Sequence, residues 1–215
     1  MATIVRTVPA TTALFLNLMI HMVHQPVESP EEFVALYPAG DYPGAAYPRR
    51  VYNGMHSAAD YIVANTTAEL KAAGRWNNTV FVLSADNGGT AEHGPPVPGS
   101  SNFPLRGHKY SWFEGGVRSA SFVASPLLPE AVRGTRNHGL FHIADWWAVF
   151  AVLAGQPPKD DCDGCVHLDG LDIWPEITAR GAAPARTELL LGVTSGAYRN
   201  GSYKIIAGPN GADVR

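Results

Sequence analysis

Residues 78–89 read NTVFVLSADNGG: a continuous apolar, β-branched run of strand length that breaks into Asp86, Asn87 and two glycines. A strand with no polar alternation is buried on both faces, as in a parallel or mixed sheet covered by helices. In an α/β sheet, ligands bind at the carboxyl ends of the strands, which is where Asp86 and Asn87 stand. A carboxylate beside a carboxamide offers hard oxygen ligands suited to calcium or magnesium. An ordinary Asx-Gly turn accounts for the same four residues, and two ligands do not make a site.

Upstream of this stretch, residues 52–73 have helical spacing. Met55, Ala59, Ile62, Val63 and Leu70 fall broadly on one face, and Gly74 is the expected stop. Residues 26–54 are rich in proline, with Ser29 and Pro30 placed to open a short helix. Residues 13–20, ALFLNLMI, predict a further buried strand. A signal peptide fits this region less well, because Asn17 and His21 interrupt the apolar run and no small-x-small cleavage site follows. Downstream, residues 90–107 form a long Gly- and Pro-rich loop, a length usually functional or disordered. Residues 117–125 predict a strand, and residues 145–154 (DWWAVFAVLA) a buried helix capped by Asp145. Residues 188–192 and 198–208 predict short strands, with Asn200-Gly201 as a hairpin turn. Strands alternating with helices indicate an α/β fold.

Composition bounds the function classes. The 215 residues are 46% hydrophobic and 16% charged, with a net charge of −3, which excludes a fully disordered chain. No segment approaches the roughly 18 uncharged apolar residues of a membrane span. The near-neutral balance gives no electrostatic reason for a nucleic-acid partner. Two cysteines, Cys162 and Cys165, cannot make a disulfide framework. Their C-x-x-C lies among aspartates rather than at a helix start, so a local disulfide or two free thiols is expected over redox catalysis.

Other residues could carry chemistry. His24 ends the 13–24 segment, and an imidazole can protonate a leaving group near neutral pH. On local sequence a hydrogen-bonded histidine at a strand end is the favoured account, and His21 with His24 is a weak zinc pair without a third ligand. Arg106, His108 and Lys109 pack positive charge beside Gly107, which suits an oxyanion such as sulfate or phosphate, or a solvated turn. Asn65, Asn77 and Asn200 each begin an N-x-S/T triplet, the glycosylation acceptor pattern.

Taken together, FLNLMIHMVHQPVESPEEF, ELKAAGRWNNTVFVLSADNGG, FPLRGHKYSWFEGGVR, FVASPLL, HIADWW and LDGLDIW resemble the sulfatase family, most closely its arylsulfatase B-like branch. The words occur in family order over nearly the whole chain. The resemblance implies an alkaline-phosphatase/sulfatase-like mixed sheet covered by helices and incomplete at its N-terminal side. Residues 1–180 would be the C-terminal portion of the catalytic domain, and residues 181–215 the start of a small C-terminal subdomain. It implies Asp86 and Asn87 as calcium ligands, with magnesium second. His24 would contact the sulfate and help the alcohol depart, and Lys109 would bind a sulfate oxygen. Glu114 to Arg118 would shape the loop beneath. Asn65 and Asn77 match glycosylation positions, which implies a secretory, lysosomal or extracellular parent. The implied ligand is a sulfate ester, either a small molecule or a sulfated glycan.

The departures matter as much. The family's nucleophile is a formylglycine made from the cysteine of a C-x-P-S-R word, and neither Cys162 nor Cys165 lies in one. The aspartate pair preceding that word has no counterpart, nor do the lysine and histidine that follow it. The expectation is therefore a chain that begins beyond the nucleophile half and has negligible turnover alone, with missed upstream exons as the bland explanation. A non-catalytic sulfated-glycan-binding remnant is the alternative. A phosphoryl-transfer relative ranks last, for want of more metal ligands.

Overall fold

The computed structural model describes residues 2–38, 40, 47–90, 99–158, 168–192 and 196–207. They fall into two compact units, Met1–Leu127 and Leu128–Arg215.

The first unit is organised around α3, Tyr47–Ala72. Its buried residues Val51, Tyr52, Met55, Ala58, Thr66 and Leu70 lie broadly on one face, which is apolar except for Thr66. The helix starts five residues before the expected position and runs through the region read as loop. It ends where expected: Gly74 takes φ +69°, its N–H donates to Lys71 O at 3.0 Å, and Arg75 N–H donates to Leu70 O at 2.9 Å. That is a Schellman stop, which a residue with a Cβ fills only under strain.

A short helix α1, Ala2–Thr7, lies against α3 through Val5, which is buried. Arg6 donates to both carboxylate oxygens of Glu69 at 2.6 and 2.7 Å. Arg75 reaches the carbonyls of Val8 (2.7 Å), Pro9 and Thr12 (3.1 Å). Residues 13–20 correct the expectation of a buried strand. They have no regular structure, and Phe15 and Met19 are 72% and 88% exposed. A strand exists only where another strand satisfies its N–H and C=O groups, and among the described residues none pairs with this segment. Helix α2, Glu31–Val34, forms as anticipated, but with Pro30 rather than Ser29 as its cap; the Ser29 hydroxyl is buried without a hydrogen-bond partner.

Strand β1, Phe81–Ser84, pairs antiparallel with β2, Ser121–Ala124, in the register Phe81 to Ala124 and Ser84 to Ser121. Phe81 and Phe122 stack across the pair at 6.1 Å. The expected burial of β1 on both faces is not observed. Its residues are at most half-buried, and among the described residues β2 is its sole partner. The ladder is extended by Ala85 N–H to Ala120 O at 2.9 Å and by the Ser125 hydroxyl to Thr79 O at 2.6 Å. It closes the base of the long excursion from 85 to 120, which includes the four-residue helix α4, Glu114–Val117.

The second unit contains α5 (Asp145–Leu153), α6 (Trp174–Thr178) and an antiparallel meander of β3 (Glu188–Leu191), β4 (Gly196–Asn200) and β5 (Tyr203–Ala207). The hairpin signal holds: Asn200 pairs with Tyr203, and Gly201 takes φ +53° in the two-residue turn between them. Asp145 is a correction. It is the first residue of α5, with Ala144 at the cap position, and it is fully buried. Its carboxylate accepts the N–H of His142 (2.7 Å), the N–H of Leu171 (2.9 Å) and both Nε (3.1 Å) and Nη2 of Arg186. A buried carboxylate needs this many donors, and it ties three segments to one point.

Helices together with the two antiparallel sheets are consistent with the expected α/β class.

Candidate active-site loops

Asp86 follows the β1 ladder, as the sequence places it. The turn beyond it is built by backbone contacts closer than any side chain permits. Gly88 N–H donates to Gly116 O at 2.9 Å, and a Cβ on Gly88 would lie 1.7 Å from Gly115 O. A Cβ on Gly115 would lie 2.2 Å from Gly107 O, and one on Gly116 would lie 2.4 Å from His108 O. The glycines of DNGG and EGGVR are thus one feature: two loops in backbone contact. Within α4, Gly115 and Gly116 are buried.

Asn102 locks the same region. Its side-chain oxygen accepts Gly89 N–H at 2.8 Å, and its Nδ2 donates to Gly89 O (2.9 Å) and Gly107 O (3.1 Å). Lys109 N–H donates to Gly89 O at 2.9 Å, so the lysine loop is bonded directly to the Asp86 loop. Sequence reading missed Asn102. Its only signal is an amide in a Gly- and Ser-rich loop, and the partners lie 13 and 5 residues away.

Among the described residues neither Asp86 nor Lys109 has an ion-pair partner. Asp86 is exposed; its Oδ1 accepts Asn87 N–H at 2.8 Å, which leaves Oδ2 outward. Asn87 is half-buried and donates Nδ2 to Gly88 O at 2.8 Å, so its Oδ1 is the atom left to accept. Those two oxygens fit a hard cation, but calcium takes about six to eight, so they are part of a coordination shell. No group of three His, Cys, Asp or Glu residues that could hold a metal occurs among the described residues. Lys109 is half-buried with its Nζ 5.4 Å from the Tyr110 ring centroid, and Arg106 packs over Phe113 at 4.2 Å.

His24 belongs to the same unit but is not bonded to this knot among the described residues. It is exposed, with its ring 5.4 Å from His21 and Nδ1 3.1 Å from Gln25 O. A carbonyl only accepts, so the proton sits on Nδ1, and Nε2 is the nitrogen open to proton exchange. Asn65, Asn77 and Asn200 are all exposed, on α3, on the 3-10 turn Trp76–Asn78 and at the end of β4. Cys162 and Cys165 lie outside the described residues. No described helix is long and apolar enough to cross a membrane.

The family profile described as Sulfatase matches residues 5–156, well over half of the chain. Arylsulfatase J of Mus musculus is 37% identical over 188 residues, covering 87% of this chain and 29% of its own length. N-acetylgalactosamine-6-sulfatase of Canis lupus familiaris is 29% identical over 195 residues, covering 88% of this chain and 34% of its own. Among solved structures, Ps i-CgsB in complex with k-i-k-neocarrahexaose superposes with a TM-score of 0.71 at 27% identity, covering 87% of this chain and 39% of that one. The chain therefore spans about a third of the length of the curated relatives it matches.

Proposed function

Because this chain belongs to the sulfatase family, we propose that it carries the cation- and sulfate-binding part of a sulfuric ester hydrolase of the arylsulfatase B-like branch. The observation that supports this most is the bonded loop pair. It holds the Asp86 carboxylate and the Asn87 carboxamide on one side and the Lys109 ammonium on the other, neither charge having an ion-pair partner among the described residues. A cation held by Asp86 Oδ2 and Asn87 Oδ1, expected to be calcium, would supply Lewis-acid polarisation of a sulfate oxygen. Lys109 Nζ would take a second sulfate oxygen and offset the charge that develops there. As the doubly protonated imidazolium, with Nδ1–H kept on Gln25 O, His24 would give its Nε2 proton to the departing alcohol oxygen and be left as the neutral ring. The attacking group is not a residue of this chain. Cys162 and Cys165 stand in C-D-G-C, outside any C-x-P-S-R word, so neither fits a formylglycine.

The ligand would be a sulfate ester or a sulfated glycan, a choice supported by the carbohydrate in the Ps i-CgsB structure. Residues 1–180 would belong to the catalytic domain and residues 181–215 to the subdomain that follows. Exposure of Asn65, Asn77 and Asn200 supports a secretory, lysosomal or extracellular site of action. The second reading, a sulfated-glycan-binding remnant, rests on the missing nucleophile word.

The test is hydrolysis of 4-nitrophenyl sulfate by the 215-residue chain, with inorganic sulfate binding measured alongside. The expected result is no turnover above the His24→Ala and Asp86→Ala variants, and sulfate affinity lost in Lys109→Ala. Turnover above those controls would overturn the inactive reading. Sulfate affinity unchanged in Lys109→Ala would overturn the anion site.

A further inference from the structure

Asn87 is followed by Gly88, and the chain repeats the Asn-Gly pair at Asn53, Asn200 and Asn210. A glycine after asparagine leaves the amide between them unshielded by any Cβ. Its nitrogen can attack the asparagine Cγ and close a five-membered succinimide. The amide proton passes through water to the departing NH2 group, which leaves as ammonia. A water molecule then opens the ring at either carbonyl, giving aspartate or, with the backbone rerouted through the side chain, isoaspartate. The attack requires the Gly88 N–H to surrender its proton and the two residues to rotate toward each other.

The folded loops deny both. Gly88 N–H donates to Gly116 O at 2.9 Å, so the attacking nitrogen is held as a bonded donor. Residue 88 has no room to turn, because even a Cβ there would lie 1.7 Å from Gly115 O. The carboxamide is engaged as well, with Asn87 Nδ2 donating to Gly88 O at 2.8 Å. Asn102 fastens the next residue, accepting Gly89 N–H and donating to Gly89 O.

We propose that Asn87-Gly88 is a latent deamidation site, gated by its backbone contact with Gly115 and Gly116. While the loops are joined the carboxamide is preserved; when they part, Asn87 converts. Isoaspartate adds a methylene to the backbone at a contact with no space for one carbon, so the loops cannot rejoin as before. The lifetime of the carboxamide is therefore set by how often this contact opens. That conversion removes a cation ligand rests on the reading of Asn87 given above; the gate itself does not.

The test is incubation of the full chain in mildly alkaline buffer, native and in guanidinium chloride, with conversion at each asparagine read by tandem mass spectrometry. Native Asn87 is expected to convert roughly 100-fold more slowly than in the unfolded chain, the scale of a few hydrogen bonds that open together. Asn102→Ala is expected to raise the native rate at Asn87 roughly tenfold. It leaves Asn200, in the other unit, at the parent's rate. Exchange of Gly88 N–H in the parent, followed by NMR, needs no variant and is expected to be slowed by the same factor as conversion. Asn87 converting as fast in the native as in the unfolded chain overturns the gate, and so does a Gly88 N–H that exchanges freely. An unchanged Asn87 rate in folded Asn102→Ala overturns it too. Calcium binding unaltered once Asn87 has converted overturns its reading as a ligand and leaves the gate standing.

Discussion

Replacing Gly88 by alanine tests the backbone contact that builds the candidate site. The added Cβ would sit 1.7 Å from Gly115 O and 2.8 Å from Gly115 C, where real Cβ contacts essentially never fall below 3.0 Å. The obstacle is backbone, not the end of a flexible side chain. Gly115 cannot retreat easily either: its N–H is bonded to Arg106 O at 2.7 Å, and its own Cβ position is 2.2 Å from Gly107 O. Overpacking costs about 1–3 kcal/mol, and a rigid obstacle puts this case at the upper end. Separating the loops also breaks the 2.9 Å bond from Gly88 N–H to Gly116 O, about 1 kcal/mol more. The expected loss is roughly 3–4 kcal/mol, a large share of the stability of a small domain. Urea unfolding followed by tryptophan fluorescence measures it, with Gly74→Ala in the same unit as the comparison. Gly74 has φ +69° and nothing within 4 Å of its Cβ position, so it loses only the left-handed preference, about 1–2 kcal/mol. Equal or smaller loss in Gly88→Ala than in Gly74→Ala would refute the contact. Sulfate binding that survived in folded Gly88→Ala would detach the contact from the site.

Asn102→Ala removes three hydrogen bonds that brace Gly89 and Gly107, and is expected to cost about 2–3 kcal/mol in the same unfolding assay while weakening sulfate binding. Asp145→Ala orphans Arg186 and the N–H groups of His142 and Leu171, at about 3–5 kcal/mol by thermal melting; the double change Asp145→Leu with Arg186→Met is expected to lose much less. The hydrogen bond from Arg6 lowers the pKa of Glu69 below its ordinary value. Its stabilising effect is therefore present above the ordinary glutamate range and lost as pH falls through the lowered value. The melting difference between the parent and Arg6→Ala is expected at neutral pH and to shrink below about pH 4.

The elements legible in the sequence were those whose signals are local. Gly74 after a helical run, Asn200-Gly201 between apolar segments and the apolar run before Asp86 each carry their own chemistry, and each stands where it was expected. Residues 13–20 and the burial of β1 misled, because burial depends on neighbours that a periodicity does not contain. Asp145 was legible as a helix start but not as the acceptor of Arg186, 41 residues away. The site divides in the same way. Asp86, Asn87 and Lys109 stand in recognisable words, whereas Asn102 acquires meaning only from the folded loop.

The central claim is that Asp86 and Asn87 form the cation end of this site. Calcium titration of the full chain by calorimetry tests it most directly, alongside Asp86→Ala and Asn87→Ala. The account predicts weak binding, on the order of 10⁻³ M for a partial oxygen shell. At ten times that dissociation constant, calcium should raise stability by about 1.4 kcal/mol, and either substitution should abolish both effects. Calcium binding of equal strength in the parent and both variants, or none in the parent, would contradict it.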